Sequence, residues 1–187
     1  MTRLSRGEER PTPDGLVGCV RCRLSASRAR VVVGVGPARA RVVVVGEAPG
    51  RAEDEGGEPF VGRSGQLLMA LLGEIGVARD DCFITNAVKC RPPHNRTPRA
   101  DEIAVCRGWL DHQLAGDAAP VLAVGAVAAR ALWGERAPLA AHHGRVRDLG
   151  GRVGLATYHP AAALRGGPNV VRVMREDLAV LATVVAT

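Results

Sequence analysis

Apolar positions in this chain fall into short continuous runs separated by segments of helical period, and that alternation predicts the fold. The run over 41–45 is β-branched and ends at Gly46, as expected of a strand buried on both faces. Leu67, Leu68, Leu71, Leu72 and Ile75 recur at helical spacing, with Gly76 placed to stop the helix. A second strand is predicted over 83–88. Thr97-Pro98 supplies a cap and a first-turn proline for a helix through Ile103, Cys106, Trp109, Leu110 and Leu114. A third strand over 121–124, a helix over 126–133, a fourth strand over 153–158 and an amphipathic helix over 170–184 complete the pattern. Short apolar strands alternating with helices predict an α/β protein, three layers α/β/α around a central, mostly parallel four-stranded sheet. Residues 1–15 are polar, charged and proline-containing and read as a loose tail, leaving 16–187 as a single domain. In such a sheet the ligand site lies beyond the carboxyl ends of the strands. Those ends carry Glu47-Ala48-Pro49-Gly50, Asn86, Gly125 and His159-Pro160.

A chain of 187 residues, 47% hydrophobic, can bury a core without disulfide staples. It carries no secretory signal and no apolar run of membrane-spanning length, so a cytoplasmic protein with no membrane partner is expected. The net charge of +6 favours polyanionic partners, nucleic acid first among them. All but one of the 25 basic side chains are Arg, Lys89 being the exception. Genome base composition accounts for such a skew, which weakens the charge argument. With only two Phe, two Trp and one Tyr, any aromatic near the strand ends carries information.

Four of the five cysteines pair as Cys19-x-x-Cys22 and as Cys90 and Cys106, the latter with fifteen residues between them. Two such pairs suit a four-thiolate site, and thiolates serve Zn²⁺ and iron–sulfur clusters alike; the alternative is four small buried side chains. Cys82 lies inside an apolar stretch and reads as core. The glycine-rich loop over 57–65 holds Phe60 between Pro59 and Val61, either to stack on a planar ring or to anchor the loop. Glu53 and Asp54 read alone as solvated loop charges. Asn86 offers both a donor and an acceptor, which a pyrimidine's N3–H and O4 edge requires, or it caps a turn. His159 stands where it can donate to a developing oxyanion, or it is a satisfied structural histidine.

Taken together these segments resemble the fourth, iron–sulfur family of uracil-DNA glycosylases over residues 16–185. The resemblance rests on Gly46-Glu47-Ala48-Pro49-Gly50-x-x-Glu53-Asp54, Gly57-x-Pro59-Phe60-Val61-Gly62-x-x-Gly65, Thr85-Asn86-x-Val88-Lys89-Cys90-Arg91-Pro92-Pro93-x-Asn95-Arg96-x-Pro98 and Tyr158-His159-Pro160-x-x-x-Leu164-Arg165. It implies a [4Fe–4S] cluster on Cys19, Cys22, Cys90 and Cys106. It further implies that Phe60 stacks on an extruded uracil, Asn86 reads its edge, Ala48 lies beside C5, and His159 stabilises charge on O2. Glu47 or Glu53 would face the sugar cation and its water, with Asn95 holding that water; the sequence leaves the choice of carboxylate open. Leu164 is the candidate wedge and Arg165 a phosphate contact. The implied partner is uracil-containing DNA, single- or double-stranded, met by a monomer that releases uracil and leaves an abasic site. The alternative is a trapping protein of the same superfamily. A related branch captures DNA covalently through a histidine in the loop after the Asn-x-x-Lys segment; aligning Thr97-Pro98 puts Asn95, with His94 adjacent, opposite that nucleophile.

Overall fold

A computed structural model describes residues 8–116, 118–134, 138–166 and 168–186. Its centre is a sheet of β1 (Val42–Gly46), β2 (Cys82–Asn86), β3 (Val121–Val124), β4 (Arg147–Asp148) and β5 (Val153–Thr157), in the order β2-β1-β3-β5-β4. All pairings are parallel except β4 with β5. The fifth strand is the departure from the predicted four: β4 is two residues long and antiparallel at the edge, too short for an apolar period to announce it.

The four parallel strands are almost wholly buried because helices cover both faces. Val43, Val45, Val121 and Ala123 pack with Trp109, Leu110 and Ala128 on one side. Val42, Val44, Leu122, Val124 and Leu155 pack with Leu68, Leu72, Met174 and Leu178 on the other. Those partners come from α3 (Ala100–Leu114) and α4 (Ala126–Trp133) on the first face, and from α2 (Arg63–Glu74) and α6 (Pro168–Val185) on the second. Gly76, at φ +73, ends the α2 segment as expected. The third helix is capped at Arg99, two residues after the predicted cap. Glu102 accepts the Arg99 N–H at 2.8 Å and so fixes the start there.

Two short helices escaped the apolar pattern, α1 (Arg51–Gly56) and α5 (Pro160–Gly166). The first has no apolar stripe at all, and both sit beside strand ends. Part of the expected N-terminal tail is tied to the fold. Glu9 bridges Pro37, and the Arg10 guanidinium donates to the Gln113 carbonyl at 2.5 Å and stacks on Phe83. Residues 1–7 lie outside the described residues. The 31–37 segment pairs with β2 through Val35 and Ile84, covering an edge strand that would otherwise expose its ladder groups.

Candidate active site

The chain leaves β1 for β2 on one side and then crosses to β3 on the other, so the carboxyl end of β1 is a point where the sheet order diverges. A cavity of about 420 Å³ opens there, lined among others by Glu47, Ala48, Glu53, Phe60, Asn86, Asn95, His159 and Arg165. The cavity brings together the catalytic and uracil-binding candidates named from the sequence, with Arg165, the candidate phosphate contact, beside them. Leu164 is 47% exposed on α5 and lies outside the lining.

Asn86 ends β2 opposite Gly46 of β1. Its side chain is 1% exposed and its Nδ2 has no hydrogen-bond partner. An orphaned buried donor costs about 1–3 kcal/mol unless something arrives to accept from it. A Cβ on Gly46 would stand 2.3 Å from Asn86 Oδ1 and 2.6 Å from the Phe60 ring. Gly46 is therefore what allows the amide and the ring to meet over one strand end, a role invisible in the sequence.

Phe60 is held in a left-handed backbone conformation, φ 54, rare for an aromatic residue. Its surroundings dictate it. Arg79 donates to the Pro59 and Phe60 carbonyls at 2.8 and 3.2 Å. Glu53 Oε1 accepts from the Val61 and Gly62 N–H groups at 3.1 and 2.8 Å, and its Oε2 accepts from Gly50 at 3.1 Å. Gly65 has no Cβ where the Phe60 backbone passes, 2.0 Å from such an atom. Glu53 and Asp54 are thus not solvated loop charges. Asp54 is buried and accepts the Ala29 and Arg30 N–H groups.

The hydrogen bonds separate the two carboxylates that the sequence could not. Glu53 is spent on three backbone donors. The Glu47 side chain has no hydrogen-bond partner among the described residues, and burial pushes its carboxyl above the usual range, with Arg130 opposing.

His159 lies with its ring centroid 6.3 Å from that of Phe60. Burial, with help from Arg165 and against Glu53, pulls its pKa down to about 4, so the imidazole is neutral at physiological pH. The Ala161 N–H donates to Nδ1 at 3.2 Å. A neutral ring accepting at Nδ1 carries its proton on Nε2, which makes His159 a donor there.

Asn95, at φ 54, accepts the Arg91 Nε–H at 2.6 Å through Oδ1, which leaves its amide NH₂ as a donor. His94 lines a neighbouring groove and not this cavity.

A residue that the sequence reading passed over is Lys89. It is 1% exposed, and its ammonium donates to Thr85 Oγ1, the Asn86 carbonyl and Gln113 Oε1 at 2.7, 2.7 and 2.6 Å. Burial lowers its pKa to about 7. No local signal could find this network, because Gln113 is contributed by α3. Lys89 also lines the cavity that Cys19, Cys22, Cys90 and Cys106 share. Trp109 Nε1–H donates to Cys19 Sγ at 3.3 Å and Arg28 to Cys90 Sγ at 3.4 Å. Among the described residues no three His, Cys, Asp or Glu side chains are gathered to hold a single metal ion. Cys82 is buried core, as expected, its thiol pushed up to about 12.

Residues 33–179 match the uracil DNA glycosylase superfamily. A type-4 uracil-DNA glycosylase of Pyrobaculum aerophilum is 44% identical over 86% of this chain and 86% of its own length. Proteins of the same description from Thermotoga maritima and Archaeoglobus fulgidus are 42% and 40% identical, covering 86% and 80% of this chain and 85% and 79% of their own lengths. Among the described residues no helix is long and apolar enough to cross a membrane.

Proposed function

The chain belongs to the uracil DNA glycosylase superfamily, in its type-4 branch, and from that premise we propose how its cavity excises uracil from DNA. The observation that carries the assignment of roles is the orphaned Nδ2 of Asn86, a buried donor beside Phe60 that asks for an acceptor. Uracil O4 is such an acceptor, and its N3–H supplies the donor that Oδ1 needs. Cytosine presents the reverse pattern there, leaving two like groups face to face, and a site built this way rejects it strongly. Phe60 stacks on the base and Ala48 borders C5. The base reaches them only by leaving the helix, and the exposed Leu164 fills the space behind it while Arg165 meets a flanking phosphate.

Bond cleavage leaves cationic character on the sugar and negative charge on O2. His159 donates Nε2–H to that oxygen, and a preorganised donor of this kind contributes on the order of 3 kcal/mol. Glu47, unpartnered and desolvated, faces the cation and accepts from the attacking water. The free amide of Asn95 donates to the same water. Glu53 acts by positioning Phe60. The products are free uracil and an abasic site.

The four cysteines suit a [4Fe–4S] cluster. All four line one cavity, and two of them accept N–H donors, the kind of bond that the sulfurs of such a cluster receive. When bound, the cluster supplies a cross-link between the N-terminal segment, the end of β2 and α3. Residues 16–187 act as one domain and the enzyme as a monomer on either single- or double-stranded DNA.

Incubation with a uracil-bearing oligonucleotide, then alkali, tests the reading: strand breaks at the uracil position report the abasic product. An intact strand, or a denaturation-resistant protein–DNA adduct, would support trapping instead. The placement of His94 outside the cavity favours turnover.

A further inference from the structure

On the far side of the loop that carries Asn95 lies a second concavity of about 480 Å³, lined by Arg23, Ser27, Pro93, His94, Arg96 and Arg99 among others. Arg96 lines both this groove and the uracil cavity, so the two share a wall. Two of its cationic side chains are held in place. Glu102, fully buried at the start of α3, accepts from both terminal nitrogens of Arg96 at 2.8 and 2.6 Å, and Arg23 donates to Asp101 at 2.5 Å. Arg99 uses its backbone N–H on Glu102 and makes no side-chain ion pair among the described residues.

Three guanidiniums against two carboxylates leave one net positive charge in the groove, before His94 is counted. Pairing does not exhaust the arginines either. A guanidinium has five N–H donors and a carboxylate engages about two, so Arg23 and Arg96 keep donors for a second anion. Placement then decides which anion. Arg165 follows β5 and Arg96 follows β2, at opposite ends of the parallel part of the sheet, and both line the uracil cavity. A DNA strand that delivers a nucleotide into the cavity between these two arginines would run on into the groove, whose wall Arg96 shares.

We infer that this groove binds the phosphodiester backbone on one side of the extruded nucleotide, with Arg99 and Arg23 on phosphates and Arg96 on the wall between base and backbone. The inference rests on the uracil-excision reading of the adjoining cavity. The test is equilibrium binding to a duplex carrying a non-cleavable 2′-fluoro-deoxyuridine, across roughly 50–200 mM salt. Arg99→Gln and Arg23→Gln each flatten the slope of log affinity against log salt by about 0.9, the value of one lost phosphate contact. Arg99→Lys retains the wild-type slope. Removing the flanking nucleotides on one side of the uridine, and not on the other, erases the difference between wild type and Arg99→Gln. Unchanged slopes in both Gln variants, or a difference that survives both truncations, would overturn the groove assignment. A wild-type protein that releases no uracil defeats the excision reading, whereas one that releases uracil but shows unchanged slopes defeats the groove alone.

Discussion

Replacing His159 by Asn separates its titration from its packing. Asn Oδ1 takes the position of the imidazole Nδ1 and keeps the acceptor for the Ala161 N–H, while the proton site and the Nε2 donor are lost. In the folded protein the His159 pKa is about 4, against an ordinary 6.5. As pH falls, the unfolded chain therefore takes up the proton first. The stability that His159 contributes is fully present above pH 6.5 and is lost as pH falls through about 4. At 1.36 kcal/mol per unit, the window corresponds to about 3 kcal/mol. Glu47 and Asp177, both shifted upward by burial, titrate with the opposite sign in neighbouring ranges, so the wild-type curve alone does not isolate the term. The difference between wild type and variant does. Urea denaturation at a series of pH values yields both unfolding free energies by linear extrapolation. Wild type should lose about 3 kcal/mol more than His159→Asn between pH 6.5 and 4. Parallel curves would refute the neutral, buried imidazole and with it the Nε2 donor.

Three further outcomes test the assembly of the cavity. Glu53→Gln loosens the Phe60 loop; with charge-assisted bonds worth about 1.5–3 kcal/mol each, kcat/KM falls roughly ten- to a hundredfold, mainly through KM, whereas Glu47→Gln lowers kcat at nearly constant KM. Equal splits in the two variants would count against dividing the carboxylates. Gly46→Ala places a methyl between Asn86 and Phe60, costing about 1–3 kcal/mol by overpacking and abolishing inhibition by free uracil in a still-folded protein; retained inhibition contradicts the convergence of those two side chains. Lys89→Met takes the Lys89 donor from the Asn86 carbonyl and leaves Gln113 Oε1 with the Thr85 hydroxyl alone, costing about 1–3 kcal/mol by thermal or chemical melting. A neutral effect would show that the network does not hold Asn86.

The sheet was legible because its parallel strands are covered on both faces, which turns 42–45 and 121–124 into unbroken apolar runs. The polar residues at the strand ends were legible for the same reason: they interrupt those runs where a parallel sheet opens. What could not be read were roles set by contacts across the chain. Glu47 and Glu53 are chemically identical, and only the three N–H groups around Glu53 distinguish them. Gly46 reads as a strand terminus, and the side chains that would collide with its Cβ come from two other segments. Lys89 acquires its meaning from Gln113, and β4 and α1 are too short or too polar to carry a period. The anchoring of Glu9 and Arg10 could not be read because it lies in backbone bonds and in one arginine over Phe83.

The claim on which the rest depends is that Asn86 reads one extruded base through an amide, its Nδ2 meeting O4. Uracil and cytosine release, measured side by side from matched oligonucleotides with wild type and Asn86→Asp, tests it directly. Wild type should release uracil alone, and the variant should lose most of that rate while its discrimination against cytosine erodes. Unaltered preference for uracil in Asn86→Asp would contradict the account.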